Sequence, residues 1–536
     1  MYLLKKTDNM RRFITLIITA FVCVTIVTAQ NREVVNNYSS KFGQILFYIN
    51  NYYLDTINNE KITDEAFKAM LQQLDPHSSY VAAKDVQALN EPLQGNFEGI
   101  GIEFAIVKDT LTVVSPLSGG PSEKVGIRSG DKIVAVGDEN IASISMTTEK
   151  VYSYLRGPKG SKVVLSIVRR GVKEPISFEV VRDKIPINSV DVTYEVQPGI
   201  AYVKLSRFAA KSAEEIITSL IDLNVRDLTG LILDLRGNSG GFLGSAIEIA
   251  NFFLESGQTI VYTEGARVPP MRETANGLGF YKNGDLVILI DEGSASASEI
   301  VAGAIQDWDR GTIIGRRSFG KGLVQQMLPL SDGSELRLTI ARYHTPSGRV
   351  IQSPYEAGNI EKYYKALYDR YEKDGEMYNA ESIQFPDSLK YTTLKKERIV
   401  YGGGGIMPDI FIPADTTNYT NYYGALVRRS IVLDFMNDMS DVNRDIWSSK
   451  YKNFDSFDKE FIVDKQLMDN LVAFGQSKGL EPNYAELEHS KRQIEIYMKA
   501  LAARSIFGMT GYFKIVNSYD DPAFKKAIEV LTTGSR

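Results

Sequence analysis

The sequence predicts a multidomain α/β chain: a helical N-terminal segment, a β-rich module, an α/β core and a helical C-terminal region. Three observations lead there. Apolar runs at 231–235 and 286–291 each end in a loop of small residues, and helical spacing follows both. Between 88 and 183, short strand-like runs are separated by glycine turns. Beyond 415 the pattern turns helical, with Ile494, Tyr497, Met498 and Leu501 at i, i+3, i+4 and i+7. A length of 536 residues allows roughly three to four domains, and 43% apolar content supplies cores for them.

The elements follow in order. Residues 1–29 read as an export signal: Lys5, Lys6, Arg11 and Arg12 precede an apolar run from Phe13, and Val27-Thr28-Ala29 offers a small-residue cleavage site before Gln30. Met10 opens a more conventional signal as an alternative start. Val22 before Cys23 does not suit lipidation, and an uncleaved anchor would be at the short end for spanning. Residues 30–87 read as helical, through Phe42, Leu46, Phe47 and Ile49 and then Ala66, Met70, Leu71 and Leu74, until Asp75-Pro76-His77-Ser78 breaks the pattern. His77 reads as a structural turn residue. In 88–183, Gly99-Ile100-Gly101-Ile102 is a loop entering a strand, 155–160 is a hairpin-type turn carrying Arg156, and 163–169 is a strand.

The core spans 184–414. It opens with a strand at 200–205, and Ser212 with Glu215 predicts a capping box for the next helix. The loop Asp234-Leu235-Arg236-Gly237-Asn238-Ser239-Gly240-Gly241 then leads to a helix from Ser245, without the G-x-G-x-x-G spacing of a dinucleotide site. An insertion is expected at about 356–395, with a helix near 361–373, before Gly402–Gly405 returns the chain to the core. Residues 415–536 read as helical and carry no recognisable chemistry.

The chemistry concentrates in 286–326. A serine cluster sits at a strand-to-helix turn, and a serine at the helix N-terminus has an exposed position beside backbone N–H groups with no helical partner, which are two needs of a hydroxyl nucleophile. Lys321, between Gly320 and Gly322, serves as base if burial leaves it neutral. The same loop matches G-x-x-x-x-G-K, yet Gly322 stands where a phosphate loop needs Ser or Thr, and a strand follows instead of a helix. Ser347 has no base beside it. A net charge of −5 without a long basic run excludes nucleic acid as the main partner. One cysteine, Cys23, and three histidines, His77, His344 and His489, argue against a disulfide framework and against multi-histidine metal sites.

Ser294-Ala295-Ser296-Ala297-Ser298-Glu299, followed by Phe319-Gly320-Lys321-Gly322 and Gln325, resembles the signature of the carboxyl-terminal processing (tail-specific) proteases. The resemblance covers about residues 60–412. It implies a Ser–Lys serine endopeptidase with Ser296 as nucleophile, Lys321 as base and Gln325 orienting the lysine. It places oxyanion N–H donors at Ala297 and in the D-L-R loop, at Gly240 or Gly241, with Gly241 preferred. Residues 88–183 resemble a PDZ domain. There Gly99, Ile100, Gly101 and Ile102 would receive a terminal carboxylate, and the following strand edge would pair with the tail. Arg156 is hypothesised to touch the core and gate activity; a solvated turn arginine is the plain alternative.

The expectation is therefore an exported, periplasmic or envelope endopeptidase acting on proteins with accessible C-terminal tails. No cofactor or metal is implied. An adaptor or lipoprotein partner is left open, as is membrane attachment through an uncleaved signal, and the rival reading is an inactive PDZ scaffold. Cleavage after Ala29 predicts a mature chain of 507 residues (536 minus 29) beginning at Gln30. Intact mass of the purified envelope protein checks this; a chain retaining 13–29 contradicts it.

Overall fold

The computed structural model describes residues 32–533 except 108, 118, 129, 226 and 374. The expected export segment lies outside these residues. The chain divides into two compact units, up to Met70 and from Leu71 onward. In the first, helix 32–52 turns back into helix Asn59–Gln72. Reciprocal Asn50–Asn59 hydrogen bonds at 2.9 and 2.8 Å close the turn, and Phe42 stacks on Phe67 with centroids 6.1 Å apart.

The second unit is built around a six-stranded sheet in the order Val190–Gln197, Ile200–Leu205, Gly230–Asp234, Asp285–Ile290, Thr312–Gly315, Ile410–Phe411. The first pair is antiparallel and the rest are parallel. Strand side chains alternate between two cores, as a period of two requires. Leu231, Leu233, Leu286, Ile288 and Ile290 face helices Ser212–Asp222, Leu243–Asn251 and Ala297–Asp307. Ile232, Val287 and Leu289 face the other way, onto Phe513, Ala523, Phe524 and Ala527. The C-terminal helix Pro522–Thr533 is thus the second layer of the core, a role its sequence did not disclose. Arg236 fastens it, pairing with Asp521 at 2.7 Å and with the fully buried Asp234. Burial alone would raise the Asp234 carboxyl, but the charges of Arg236 and Lys204 hold it well below the usual range.

A second sheet joins Ser79–Val81, Glu335–His344, Thr259–Glu264 and Met271–Thr274, with Leu323–Pro329 also paired to Glu335–His344. The β-rich module is a five-stranded antiparallel path, beginning with Ile102–Val107 at its edge, plus a short strand Glu139–Asn140. Both chain connections to this module run side by side as a ribbon, Asn96–Gly99 against Asp183–Pro186. Helix Ala83–Gln94 precedes the ribbon, so the expected boundary at 87/88 falls inside a helix and the module proper begins after Gly99. The helices Asn421–Arg428 to Lys491–Asp520 form their own core and also reach the module's sheet, where Arg504 pairs with Glu103.

The Ser212–Glu215 capping box does not form. Ser212 is the first helical residue, and its Oγ accepts from Ala209 N at 2.8 Å. Glu215 reaches across to Ser189 N at 2.6 Å and Val190 N at 3.1 Å, pinning the start of the edge strand. Phe524, 2% exposed, is the largest apolar group the C-terminal helix puts into the second core. Phe524→Ala is expected to cost about 3–5 kcal/mol, read as a fall in the denaturation midpoint.

Candidate active site

The C-terminal ends of three adjacent parallel strands carry the loops that matter, where open α/β sheets place their sites. Gly230–Asp234 leads into the D-L-R loop, Asp285–Ile290 into the serine cluster, and Thr312–Gly315 into the loop bearing Lys321. Together with helix Ala83–Gln94 they enclose a cleft of about 470 Å³. Ser296, Ala297, Lys321, Gln325, Gly240 and Gly241 line it, as do the apolar Leu89, Leu93, Phe242 and Ile300.

Ser296 is the N-cap of helix Ala297–Asp307, with φ 54° and ψ −110°. A positive φ on a non-glycine residue away from the left-handed basin costs about 1–3 kcal/mol and persists only where its surroundings hold it. They do so here. Ser294 Oγ donates to Leu235 O at 2.8 Å and Ser298 Oγ donates to Asn238 O at 2.7 Å, and both serines are fully buried. The outer serines therefore fix the turn to the D-L-R loop, while the middle one is partly exposed in the cleft. The helix behind it is buried on every side, so the turn rests on a rigid base.

Glu299 was not singled out in the sequence, although S-x-x-E spacing from Ser296 was there to be read. Its carboxylate is completely buried. It accepts from Ser296 N at 2.8 Å, Ser318 Oγ at 2.5 Å, Gly320 N at 2.7 Å and Lys321 N at 2.9 Å. One side chain thus ties the serine turn to the lysine loop. Burial raises its carboxyl to about 7 against the pull of the four donors. On the far side, the Tyr343 hydroxyl donates to Lys321 O and lies 3.1 Å from Ser296 O.

Lys321 Nζ donates to Gln325 Oε1 at 2.9 Å, and among the described residues no hydrogen bond joins it to Ser296 Oγ. Burial pushes the lysine below its ordinary value and Arg337 adds to this, while Glu299 and Asp75 oppose. A register shift between Val324 and Gln325 aims the Gln325 side chain back at the lysine. Gln325 Nε2 donates to the carbonyl of His77, which settles which end of the amide faces Lys321. Asp75 builds that turn by accepting from His77 N at 2.8 Å and Ser78 N at 2.9 Å. The His77 imidazole is lowered to about 4, by burial first and then by the Lys321 charge, so it is neutral near pH 7.

Of the two glycines in the D-L-R loop, Gly240 uses its N–H on Asn238 Oδ1 at 2.9 Å. Its φ of 104° and its approach to Ser296 and Ala297, where a Cβ would sit 2.9 and 3.0 Å from their atoms, leave room for nothing larger. Gly241 packs on Phe208, and its N–H is in no hydrogen bond among the described residues. The same holds for Ala297, whose N–H stands at the helix N-terminus beside the nucleophile.

The cleft lining includes neither Gly99–Ile102 nor Arg156. Ile100 and Ile102 bury their side chains in the module's core, and Gly101 turns the backbone at φ 72°. The outer edge of Ile102–Val107 carries no strand among the described residues. Among the described residues no hydrogen bond, ion pair or ring contact joins Arg156 to 184–414. It pairs with Glu91 of helix Ala83–Gln94, with its guanidinium 4.1 Å from the Tyr152 ring centre and 5.2 Å from that of Phe97. Leu89 and Leu93 of that helix wall the cleft.

Residues 199–361 match the profile of peptidase family S41, and 112–169 match a PDZ domain. The carboxy-terminal-processing protease of Bartonella bacilliformis is 37% identical over 331 residues, 61% of this chain and 75% of that protein. The chain belongs to the carboxy-terminal-processing proteases. Carboxy-terminal processing protease CtpB of Bacillus subtilis, in the same family, is 34% identical over 56% of this chain and 63% of its own length. A solved photosystem II D1 C-terminal processing protease is 26% identical, covering 70% of this chain and 87% of its own, with a TM-score of 0.35. Residues 422–508 match a family of unknown function.

Glu299→Gln keeps the shape but offers one acceptor oxygen and turns an NH₂ toward the remaining donors. Each donor left unpaired costs about 1–3 kcal/mol. The expected outcome is a lower denaturation midpoint together with slower labelling of Ser296 by a fluorophosphonate; wild-type labelling would contradict the role given to Glu299.

Proposed function

We propose that this chain is an exported serine endopeptidase that captures C-terminal tails of envelope proteins on its PDZ domain and cuts them by Ser–Lys acyl transfer. The carrying observation is a strained, cleft-facing Ser296 held by one buried carboxyl group to the loop of a half-buried lysine. In the neutral amine, one N–H of Lys321 stays on Gln325 Oε1, and the lone pair is left for the Ser296 hydroxyl proton. Ser296 Oγ attacks the peptide carbonyl as that proton passes to Nζ. The carbonyl oxygen, now negative, lies toward the unengaged N–H groups of Gly241 and Ala297. Collapse expels the amine, which takes the proton from Lys321 and leaves an acyl-Ser296. Water, deprotonated by the same lysine, releases the acid and restores Ser296.

The scheme requires the deprotonated lysine, so kcat/KM rises with pH through an apparent pKa below the free-lysine value of about 10.4. Ser296→Ala and Lys321→Arg are expected to lose activity by roughly 10⁴–10⁶-fold, because guanidinium stays protonated. Ser294→Ala and Ser298→Ala are expected to keep activity while losing about 0.5–1.5 kcal/mol of stability for each buried hydrogen bond removed. Peptide cleavage assays with matched denaturation curves check the set; robust proteolysis by Lys321→Arg removes the lysine from the mechanism.

Tail capture predicts that amidating a substrate's C-terminus weakens its binding about tenfold or more, the worth of a charge-assisted hydrogen bond. Arg156→Ala is expected to lower proteolysis with tail affinity unchanged, since it frees Glu91 and with it the helix that walls the cleft. Equal binding of free-acid and amidated peptides, or unaltered proteolysis by Arg156→Ala, contradicts the respective claim.

A further inference from the structure

The insertion at about 356–395 lies against the back of the lysine loop. Helix Ile360–Glu372 carries Arg370, whose side chain is 11% exposed. Arg370 NH1 donates to Phe319 O at 3.2 Å and NH2 to Ser318 O at 3.3 Å, while Nε donates to Glu376 at 2.9 Å. Glu376 also takes Arg317 NH1 at 2.8 Å, so two guanidiniums share one carboxylate. Phe319 O belongs to the peptide unit whose N–H, at Gly320, donates to Glu299, and Ser318 O belongs to the unit whose N–H, at Phe319, donates to Ser294 O at 3.0 Å in the nucleophile turn. The Phe319–Gly320 peptide unit is held on both sides, by Glu299 at its N–H and by the Arg370 guanidinium at its C=O. The same helix supports the other end of the lysine's hydrogen-bond chain. Tyr363 packs edge-on to His77 with centroids 5.6 Å apart, and Tyr364 Oη donates to Pro76 O at 3.4 Å, in the turn whose carbonyl holds Gln325.

We propose that the insertion is part of the catalytic apparatus, with Arg370, braced by Glu376, as a positioning residue that fixes the Lys321 loop. A plain structural ion pair would couple Arg370 to Glu376 alone. Here the guanidinium spends two of its donors on main-chain oxygens within three residues of the base. Side-chain precision at a base matters because a misplacement of ~1 Å costs on the order of 100-fold in rate. The charged or titratable groups facing Lys321 are Glu299, Arg337, Asp75 and His77. Arg370 is not among them, so it acts through the loop.

The inference rests on Lys321 being the base. The test compares wild type, Arg370→Met, Arg370→Lys and Glu376→Gln in the full chain, by kcat and KM on a peptide substrate, the pH profile of kcat/KM, and the melting temperature. Arg370→Met is expected to lower kcat about tenfold or more with KM within roughly twofold, and to move the ascending limb to higher pH as water reaches the loosened lysine. Arg370→Lys, which can still donate to a carbonyl, recovers part of both. A limb and kcat unchanged in Arg370→Met, or a kcat loss that follows melting temperature with the limb in place, overturns the proposal. If Arg370→Met does not fold, Glu376→Gln is read in the same way. Full activity of Lys321→Arg would sink the underlying mechanism, whereas a wild-type lysine limb that Arg370→Met leaves in place sinks only the clamp.

Discussion

Glu299 is a carboxyl group with no solvent exposure, and its ionised form, so far from water, costs several kcal/mol unless it is well partnered. Its partners are the nucleophile's own N–H, a serine hydroxyl and two consecutive N–H groups of the lysine loop. Those groups lie on two loops that emerge from neighbouring parallel strands. The positive φ of Ser296 is tolerable because the carboxylate bonds its N–H in that conformation. Without this group the two loops would keep the Phe319 N–H to Ser294 O bond and the Tyr343 hydroxyl between them, and the Ser296 N–H would lose its partner.

The supports are arranged around that carboxylate. Ser294 and Ser298 fasten the nucleophile turn to the D-L-R loop, so the glycine that approaches Ser296 is fixed by the same bonds. Asp75 shapes the turn that holds Gln325, and Gln325 holds Lys321. The PDZ domain joins through a two-stranded ribbon, and Arg156 gives it a second hold on the cleft-wall helix. The ribbon runs into Gly99, and beside Arg156 the Gly157 N–H donates to Glu98 O of the same ribbon strand.

The strand–loop–helix units and the serine and lysine loops were legible because hydrophobic period and glycine placement are local signals, and the compound spacing of Ser296, Lys321 and Gln325 is specific. What stayed hidden was partner choice. An apolar stripe at Ala523, Phe524 and Ala527 predicts a buried face without saying that the core sheet is what it covers. Ser212 and Glu215 have the spacing of a cap, yet the glutamate serves a strand start more than twenty residues upstream. Ser296 and Glu299 have the same spacing, and there the glutamate does return to the serine N–H. Spacing alone could not separate the two. Arg156 was legible as a charged turn residue, but its partner Glu91 lies on a helix cut by the sequence-based domain boundary.

The central claim is that this scaffold holds Lys321 as a free amine at working pH. Its most direct test is NMR titration of the Lys321 side chain with ¹³Cε-labelled lysine, assigned by comparison with Lys321→Arg. The account predicts a single lysine resonance that titrates below the free value of about 10.4, in step with the acid limb of activity. Titration of Lys321 at the ordinary value, with activity already complete below it, would contradict the account.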